Sequence, residues 1–542
     1  MGDNLVYAVR GNTGFSVRRG FSSDSSFLFK SSGSPKENPC SVFQFSNGGH
    51  IFAYCDSSRT CAFEVVAGKE LINADLRRTK HILFTPRDSH LITYEPYAIY
   101  GQKLSSDQKP EPNMQVFSLA DGKHVASLVA SKEETWRPQF ADDESIAVRL
   151  VGSELLIHKG CHFGKYDRKL AVPNIKAFAV SPGQPPLHVA CYTPSSGSAP
   201  GRVQVRSLDT PFTVITAKTF FKAERAMMQW NGKGTAVLVL SSVDVDASNQ
   251  SYYGEQHVHL LNLSSGESFK VHLPKSGPVH AAKWSPNAKE FCVCYGFMPA
   301  MVSIYNLRGD EIFHTDEGPR NDVFYNAFGN ILLTCGFGNL GKGKMEFWDM
   351  EKKKRIVAIE VPNTTLFEWA PDGQHFVTAT TTPRLRIDNG FRMWHYSGKL
   401  VKEELYESPN EELWEVKFRP MTSYNKFEVK EPTKEDLECG GLVATKQDCS
   451  QPGGVKTVGV SKAAAAYVPP HLRKASKPQC GEPSAKMTET EKKVFVIRKK
   501  LRDVGTLKAR LANGEELQKS QLEKIAKEPE FLAQLATLEG AL

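Results

Sequence analysis

The 542-residue sequence has no run of about 18 uncharged apolar residues, the length a membrane-crossing helix requires. Its start, MGDNLVYAVRG, lacks both the basic and the apolar region of a secretory leader. A soluble, cytoplasmic chain with no membrane partner is therefore expected. The 11 cysteines are odd in number and include no CxxC pair, which argues for reduced thiols over a disulfide framework. Cys292 and Cys294, two apart in a strand-like pattern, should point the same way into a packed face. There is no GxSxG elbow and no HExxH pair. No catalytic or metal-ligating residue is assigned, and no cofactor is expected.

Aromatic residues are almost missing from the end of the chain. Of 7 Trp, 16 Tyr and 31 Phe, only Tyr467, Phe495 and Phe531 lie beyond residue 439. Acidic residues thin out in the same region. Gly440 to Lys500 holds ten Lys and two Arg against one Asp and three Glu, a net +8 equal to the net charge of the whole chain. The chain accordingly divides into an aromatic-rich neutral body, residues 1–430, and a basic tail.

The body repeats one phrase: an apolar strand ending in an aromatic, a short polar turn, then a second apolar strand. WSPNAKEFCVCYG from Trp284 and WAPDGQHFVTATT from Trp369 are the clearest copies. Others start at Phe45, Phe84, Phe140, Phe178, Trp230 and Tyr325, and successive starts lie 39, 56, 38, 52, 54, 41 and 44 residues apart. Each is followed by a further strand and turn, such as VSIYNLRGDE or MEFWDMEKKK. Several short strands per copy at a period of about 40 to 50 residues mark a β-propeller, and the period-two alternation excludes a helical solenoid. A ninth opening strand, Leu413 to Pro420, has no continuation before the tail, but Leu5 to Arg19 can supply the missing strands. The predicted fold is all-β: a nine-bladed, WD-like propeller closed by pairing its two ends. The weak copies at Phe140 and Phe178 leave eight blades open.

Four motifs in the body invite chemistry. Gly336 to Lys342 reads GFGNLGK, close to the GxxxxGK of a phosphate-binding loop, but Gly343 stands where Ser or Thr should hold magnesium, and strands flank it. It is read as a glycine-rich loop inside a blade. His257 and His259 could be half of a zinc site, yet no second pair stands at ligand spacing, so strand alternation accounts for them. The KKKR run from Lys352 to Arg355 fits a solvated turn. Arg384 and Arg386, alternating on an extended segment, could present two guanidiniums to RNA phosphates, and surface ion pairing is the competing account.

In the tail, residues 431–488 are rich in Gly, Ser, Lys, Pro and Ala and read as a flexible basic linker. Within it, Tyr467, Val468, Pro469, Pro470, His471, Leu472 and Arg473 combine an aromatic with preset polyproline geometry, which suits a short docking peptide. Residues 489–542 turn helical, with Ile497, Leu501, Val504, Leu507 and Leu511 on one face. Lys492, Lys493, Arg498, Lys499, Lys500 and Arg502 make the first helix a candidate RNA or ribosome contact, with a solvated helix face as the bland alternative.

Six phrases in order resemble one family, eukaryotic translation initiation factor 2A: FFKAERAMMQW from Phe220, SYYGEQ from Ser251, EFCVCYGFMPA from Glu290, GPRND from Gly318, GFGNLGKGKMEFWD from Gly336, and TPRLRIDNGFRMWHYSG from Thr382. AYVPPHLR and the closing KKLRDVGTLKARLANGEELQKSQLEKI resemble that family's tail. The resemblance implies a non-enzymatic cytosolic factor that binds the small (40S) ribosomal subunit. It further implies that the factor directs initiator methionyl-tRNA there, dependent on the codon and not on GTP, for a subset of mRNAs and beside other initiation factors. Two other readings compete: the propeller subunit b of initiation factor three, and a propeller hydrolase with a Ser–His pair or clustered acids at the central channel.

Overall fold

In the computed structural model, residues 4–21, 26–31, 39–97, 111–196, 199–220, 223–243, 255–406, 408, 410–438 and 528–529 are described. The predicted basic helix and the YVPPHLR element lie outside them. The described residues form nine four-stranded antiparallel sheets arranged as propeller blades. Eight are continuous in sequence, over residues 42–74, 81–128, 139–171, 177–220, 225–270, 279–314, 322–360 and 366–405. The ninth joins Leu413–Phe418 as innermost strand to Val6–Gly11, Gly14–Arg19 and Ser26–Lys30. Nine blades, including the weak copies, settle the count that the sequence left open, and the two ends pair as expected. Closure removes the free edge that an open ring would expose. The Arg10–Glu415 pair at 3.0 Å and the Asn12 Nδ2 bond to the Asn410 carbonyl reinforce the seam.

The core is not central. It is divided among nine clusters, one at each interface between neighbouring blades. Strand alternation decides which interface a side chain enters. On Glu290–Tyr295, Phe291, Val293 and Tyr295 pack toward the preceding blade, while Cys292 and Cys294 pack together toward the following one. The same parity is visible from axis to edge. His375–Thr380, second in its blade, is buried throughout, whereas the outermost strand Leu400–Leu405 alternates between half-buried and exposed.

The repeated phrase has a physical basis at both ends. The fourth residue after its aromatic adopts positive φ in seven copies: Gly49, Asp88, Glu144, Gly234, Ala288, Gly329 and Gly373. Its N–H bonds to the carbonyl three residues back, as from Ala288 to Ser285 at 2.9 Å, giving a tight turn with a bulge that suits the strand twist. The aromatic itself ties blade to blade. Trp230 Nε1 donates to the Ala179 carbonyl, Trp284 Nε1 to that of Gln229 and Trp369 Nε1 to that of Phe324, at 2.9, 2.9 and 3.4 Å. Indole serves here because it carries apolar bulk and a donor together. Farther out, Trp348 and Trp394 donate to Thr334 and Thr378 within their own blades, the WD-like element of the fold.

Antiparallel order puts first-to-second and third-to-fourth strand turns on one rim, here the turn rim. Second-to-third loops and the connections between blades lie on the opposite, loop rim. After the closing strand, residues 419–431 run along the turn rim. Arg419 Nε bonds to the Gly49 carbonyl, Phe427 stacks on Tyr396 with centroids 5.6 Å apart, and Asn330 Nδ2 reaches the Phe427 carbonyl. Val429 is buried in the cluster that holds Phe347 and Trp394. Ion pairs Lys426–Glu351 and Lys354–Glu431, at 2.5 and 2.7 Å, fasten this strap. The chain thus remains against the ring through Glu431, and the short helix Lys434–Glu438 follows.

A candidate interface on the loop rim

The strap explains the KKKR run. Lys353, with φ of 52°, turns the third strand into the fourth, Lys354 holds Glu431, and Arg355 lies 3.4 Å from Glu346. The glycine-rich loop connects Ile331–Gly336 to Lys344–Asp349, within a blade as expected. It closes on itself: the Gly343 N–H bonds to the Gly336 carbonyl and the Lys342 N–H to that of Gly338, both at 2.9 Å. Those N–H groups therefore do not form a phosphate cradle.

His257 and His259 share the strand Glu255–Asn262. His259 is buried against Phe220, with Nε2 3.3 Å from Ser241 Oγ, and burial followed by nearby Lys218 pushes it down to about 3. It is a neutral packing residue. Among the described residues no group of three His, Cys, Asp or Glu could hold a metal ion. Further Ser–His pairs exist: His395 Nδ1 to Ser397 Oγ at 2.8 Å and His90 Nδ1 to Ser89 Oγ at 2.7 Å lie at turns of the turn rim, and His124 Nε2 to Ser127 Oγ at 3.1 Å lies on an outermost strand, away from the channel. Burial, with the charge of His375 next, pushes His395 down to about 4.

Arg384 and Arg386 lie on the loop rim. Their segment turns where the sequence pattern suggests extension: the Leu385 N–H bonds back to the Thr381 carbonyl, and the strands end at Thr380 and resume at Gly390. The two guanidiniums therefore do not share one side of a strand. Arg386 lies 3.5 Å from Glu412, and Arg384 is exposed with no ion pair among the described residues.

Four of the phrases that carry the family resemblance have described loops here: GFMPA, GPRND, GFGNLGKGK and TPRLRIDNG. They are held rigidly. Asn321 brackets the Phe337 backbone, Oδ1 accepting from its N–H at 2.9 Å and Nδ2 donating to its carbonyl at 2.8 Å. Asn389 ties its loop to the closing strand through the Leu413 N–H at 2.7 Å. Arg320, 4 % exposed, enters the neighbouring blade, where Nη2 meets Glu346 Oε2 at 2.5 Å and Nη1 donates to Thr315 Oγ1 at 2.8 Å. Burial alone would raise the Glu346 carboxyl, but Arg320, with Lys344 and Arg355, holds it below the usual carboxylate range. The loop rim is thus preorganised, while the turn rim is partly covered by the strap.

Sequence reasoning missed the strap and the exposed apolar tips of this rim, Phe297, Leu340 and Ile387. The alternation of Phe427 and Val429, and Ile387 in a loop rich in Thr and Arg, were the available signals.

A solved eukaryotic initiation factor shares this propeller fold. That structure is 28% identical, superposes with a TM-score of 0.68, and is matched over 78% of this chain and 100% of its own. The architecture is therefore that of an initiation-factor propeller. The family model described as eukaryotic translation initiation factor eIF2A matches residues 218–416. The Caenorhabditis elegans eukaryotic translation initiation factor 2A is 51% identical over 99% of this chain and 100% of its own length. The Schizosaccharomyces pombe protein of that name is 30% identical over 94% of each. The chain belongs to the eukaryotic translation initiation factor 2A family.

Proposed function

We propose that this chain acts as a non-enzymatic cytoplasmic factor that binds the small ribosomal subunit and directs initiator methionyl-tRNA to it. It does so in a codon-dependent, GTP-independent manner, on a subset of mRNAs and together with other initiation factors. Family membership along nearly the whole chain carries this reading. The glycine-rich loop supports independence from GTP, because the N–H groups of Lys342, Gly343 and Lys344 are bonded within the loop. No described helix is long and apolar enough to cross a membrane.

The propeller, in this proposal, supplies a stiff platform and the tail supplies the grip on RNA. Residues 431–488 act as a linker whose Tyr467–Arg473 element docks a partner, and residues 489–542 carry Lys492, Lys493, Arg498, Lys499, Lys500 and Arg502 to phosphates. Arg384 and Arg386 are weaker candidates for that grip, since one is paired and their segment turns. Six phosphate contacts give a log–log salt slope of about −4 to −5. Replacing all six tail cations by alanine in the full chain should abolish most of that slope and weaken binding to small subunits and initiator tRNA. The melting of the propeller should be unaffected. Binding and salt slope equal to those of the parent would reject the tail's role.

A further inference from the structure

Three exposed apolar tips stand at equivalent places in three consecutive blades. Phe297, Leu340 and Ile387, exposed by 44, 48 and 66%, each lie in the second-to-third strand loop of the blades at 279–314, 322–360 and 366–405. Most other large exposed apolar residues of the body sit on strands, as Val125, Val214, Ile312 and Leu405 do, or in isolated loops. We propose that these three tips form a docking surface for a short peptide segment of a partner protein, one that carries apolar side chains and a carboxylate.

The loop backbones that carry the tips are braced before any partner arrives. The Phe297 N–H bonds to the Ser276 carbonyl at 3.1 Å, and Lys275 Nζ bonds to the Pro299 carbonyl at 2.5 Å. The loop bearing Leu340 is closed by its own backbone bonds and gripped by Asn321. Beside Ile387, Asp388 accepts from Asn363 Nδ2 at 2.8 Å, and Asn389 holds the closing strand. Apolar groups held rigidly in water lose little freedom on binding, and buried clusters of this kind carry most of the energy of a protein contact.

Charge selects the occupant. Lys342, two residues from Leu340, and Arg384, three from Ile387, are exposed cations with no ion pair among the described residues, while the neighbouring Asp388 carboxylate is taken up by Asn363, so an incoming carboxylate would find a cation beside two of the tips. The chain's own basic tail fits poorly, because residues 440–500 carry a net +8. RNA fits poorly as well, since two of the three tips are aliphatic and offer no stacking platform. This inference is independent of the RNA grip assigned to the tail.

The test uses the full chain and two variants, F297S/L340S/I387S and K342E/R384E, each first checked for unchanged melting. A displayed random-peptide library is selected on the parent and counter-selected on the apolar-tip variant, and the recovered peptides are synthesised. The expected peptides pair apolar residues with Asp or Glu and bind the parent at least about tenfold more tightly than either variant. A uridine-rich oligonucleotide of similar length should bind the parent and the apolar-tip variant alike. Recovery of no discriminating peptide, or only of basic ones, overturns the proposal. So does an oligonucleotide whose binding falls in the apolar-tip variant, which would make the surface an RNA site. Self-association of the parent that the apolar-tip variant lacks would make it a contact between copies and overturn it equally.

Discussion

Glu346→Gln is the sharpest test of how the loop rim is held. Glu346 is 2% exposed and Arg320 4% exposed, and their charged atoms meet at 2.5 Å, with Arg320 Nε also donating to Oε2 at 2.6 Å. Removing one partner of a buried pair leaves the other charge in low dielectric, at a cost of about 3 to 5 kcal/mol. Glutamine keeps the size and one acceptor, and Arg320 keeps its bond to Thr315, so the lower end, about 3 kcal/mol, is expected. Urea unfolding of the full chain followed by tryptophan fluorescence reads the loss as a lower midpoint at unchanged slope. The double variant R320M/E346L should recover most of the loss, because neither charge is then buried. Since Glu346 titrates lower in the folded chain than when unfolded, its contribution is complete above the unfolded value, about 4.5. It declines as pH falls through the folded value. The gap between parent and Glu346→Gln must therefore narrow in acid. A destabilisation under about 1 kcal/mol at neutral pH, or a gap that widens in acid, would refute this reasoning.

Three further outcomes follow from the ring and its strap. Burial pushes the Glu368 carboxyl, beside the closing strand at Phe418, up to about 7 against a normal 4.5. The folded chain then holds a proton that the unfolded chain releases, so stability falls as pH rises across that interval and is level above it. Glu368→Gln should abolish that dependence and add up to about 3 kcal/mol at pH 8, measured by urea midpoints across pH. Trp284→Phe removes the indole bond to Gln229 while keeping a ring against Phe291, and should cost about 1 to 2 kcal/mol in the same assay. Phe427→Ala should free the strap, so that trypsin cleaves after Lys426 and Lys430 faster than in the parent while the melting temperature of the ring moves little.

The blades were legible because their signal is local. The aromatic, the turn and the alternating second strand occupy about a dozen consecutive residues, and steric rules act within that span. Even the split blade could be read, since a lone strand at Leu413 and orphan strands at Leu5 complete each other. The weaker copies had physical causes. The copy at Phe140 begins with a strand of only two residues, Gln139–Phe140, and the one at Phe178 carries a longer turn through Pro182 and Pro186. What lies across blades was not legible. The Arg320–Glu346 pair links residues 26 apart, the strap joins Phe427 to Asn330 over 97, and the three apolar tips become neighbours in kind only when the ring closes. Arg384 and Arg386 show the limit of a parity argument, which holds on a strand and fails once the backbone turns.

In the proposed function, a rigid propeller with a cationic tail brings initiator tRNA to the small subunit without a nucleotide. Labelled initiator methionyl-tRNA retained on purified small subunits with an AUG triplet, and no GTP, measures it directly. Retention should need both the AUG triplet and the full chain, be unchanged by added GTP, and be lost when the six tail cations are replaced by alanine. Retention that requires GTP, or that survives that replacement, would contradict it.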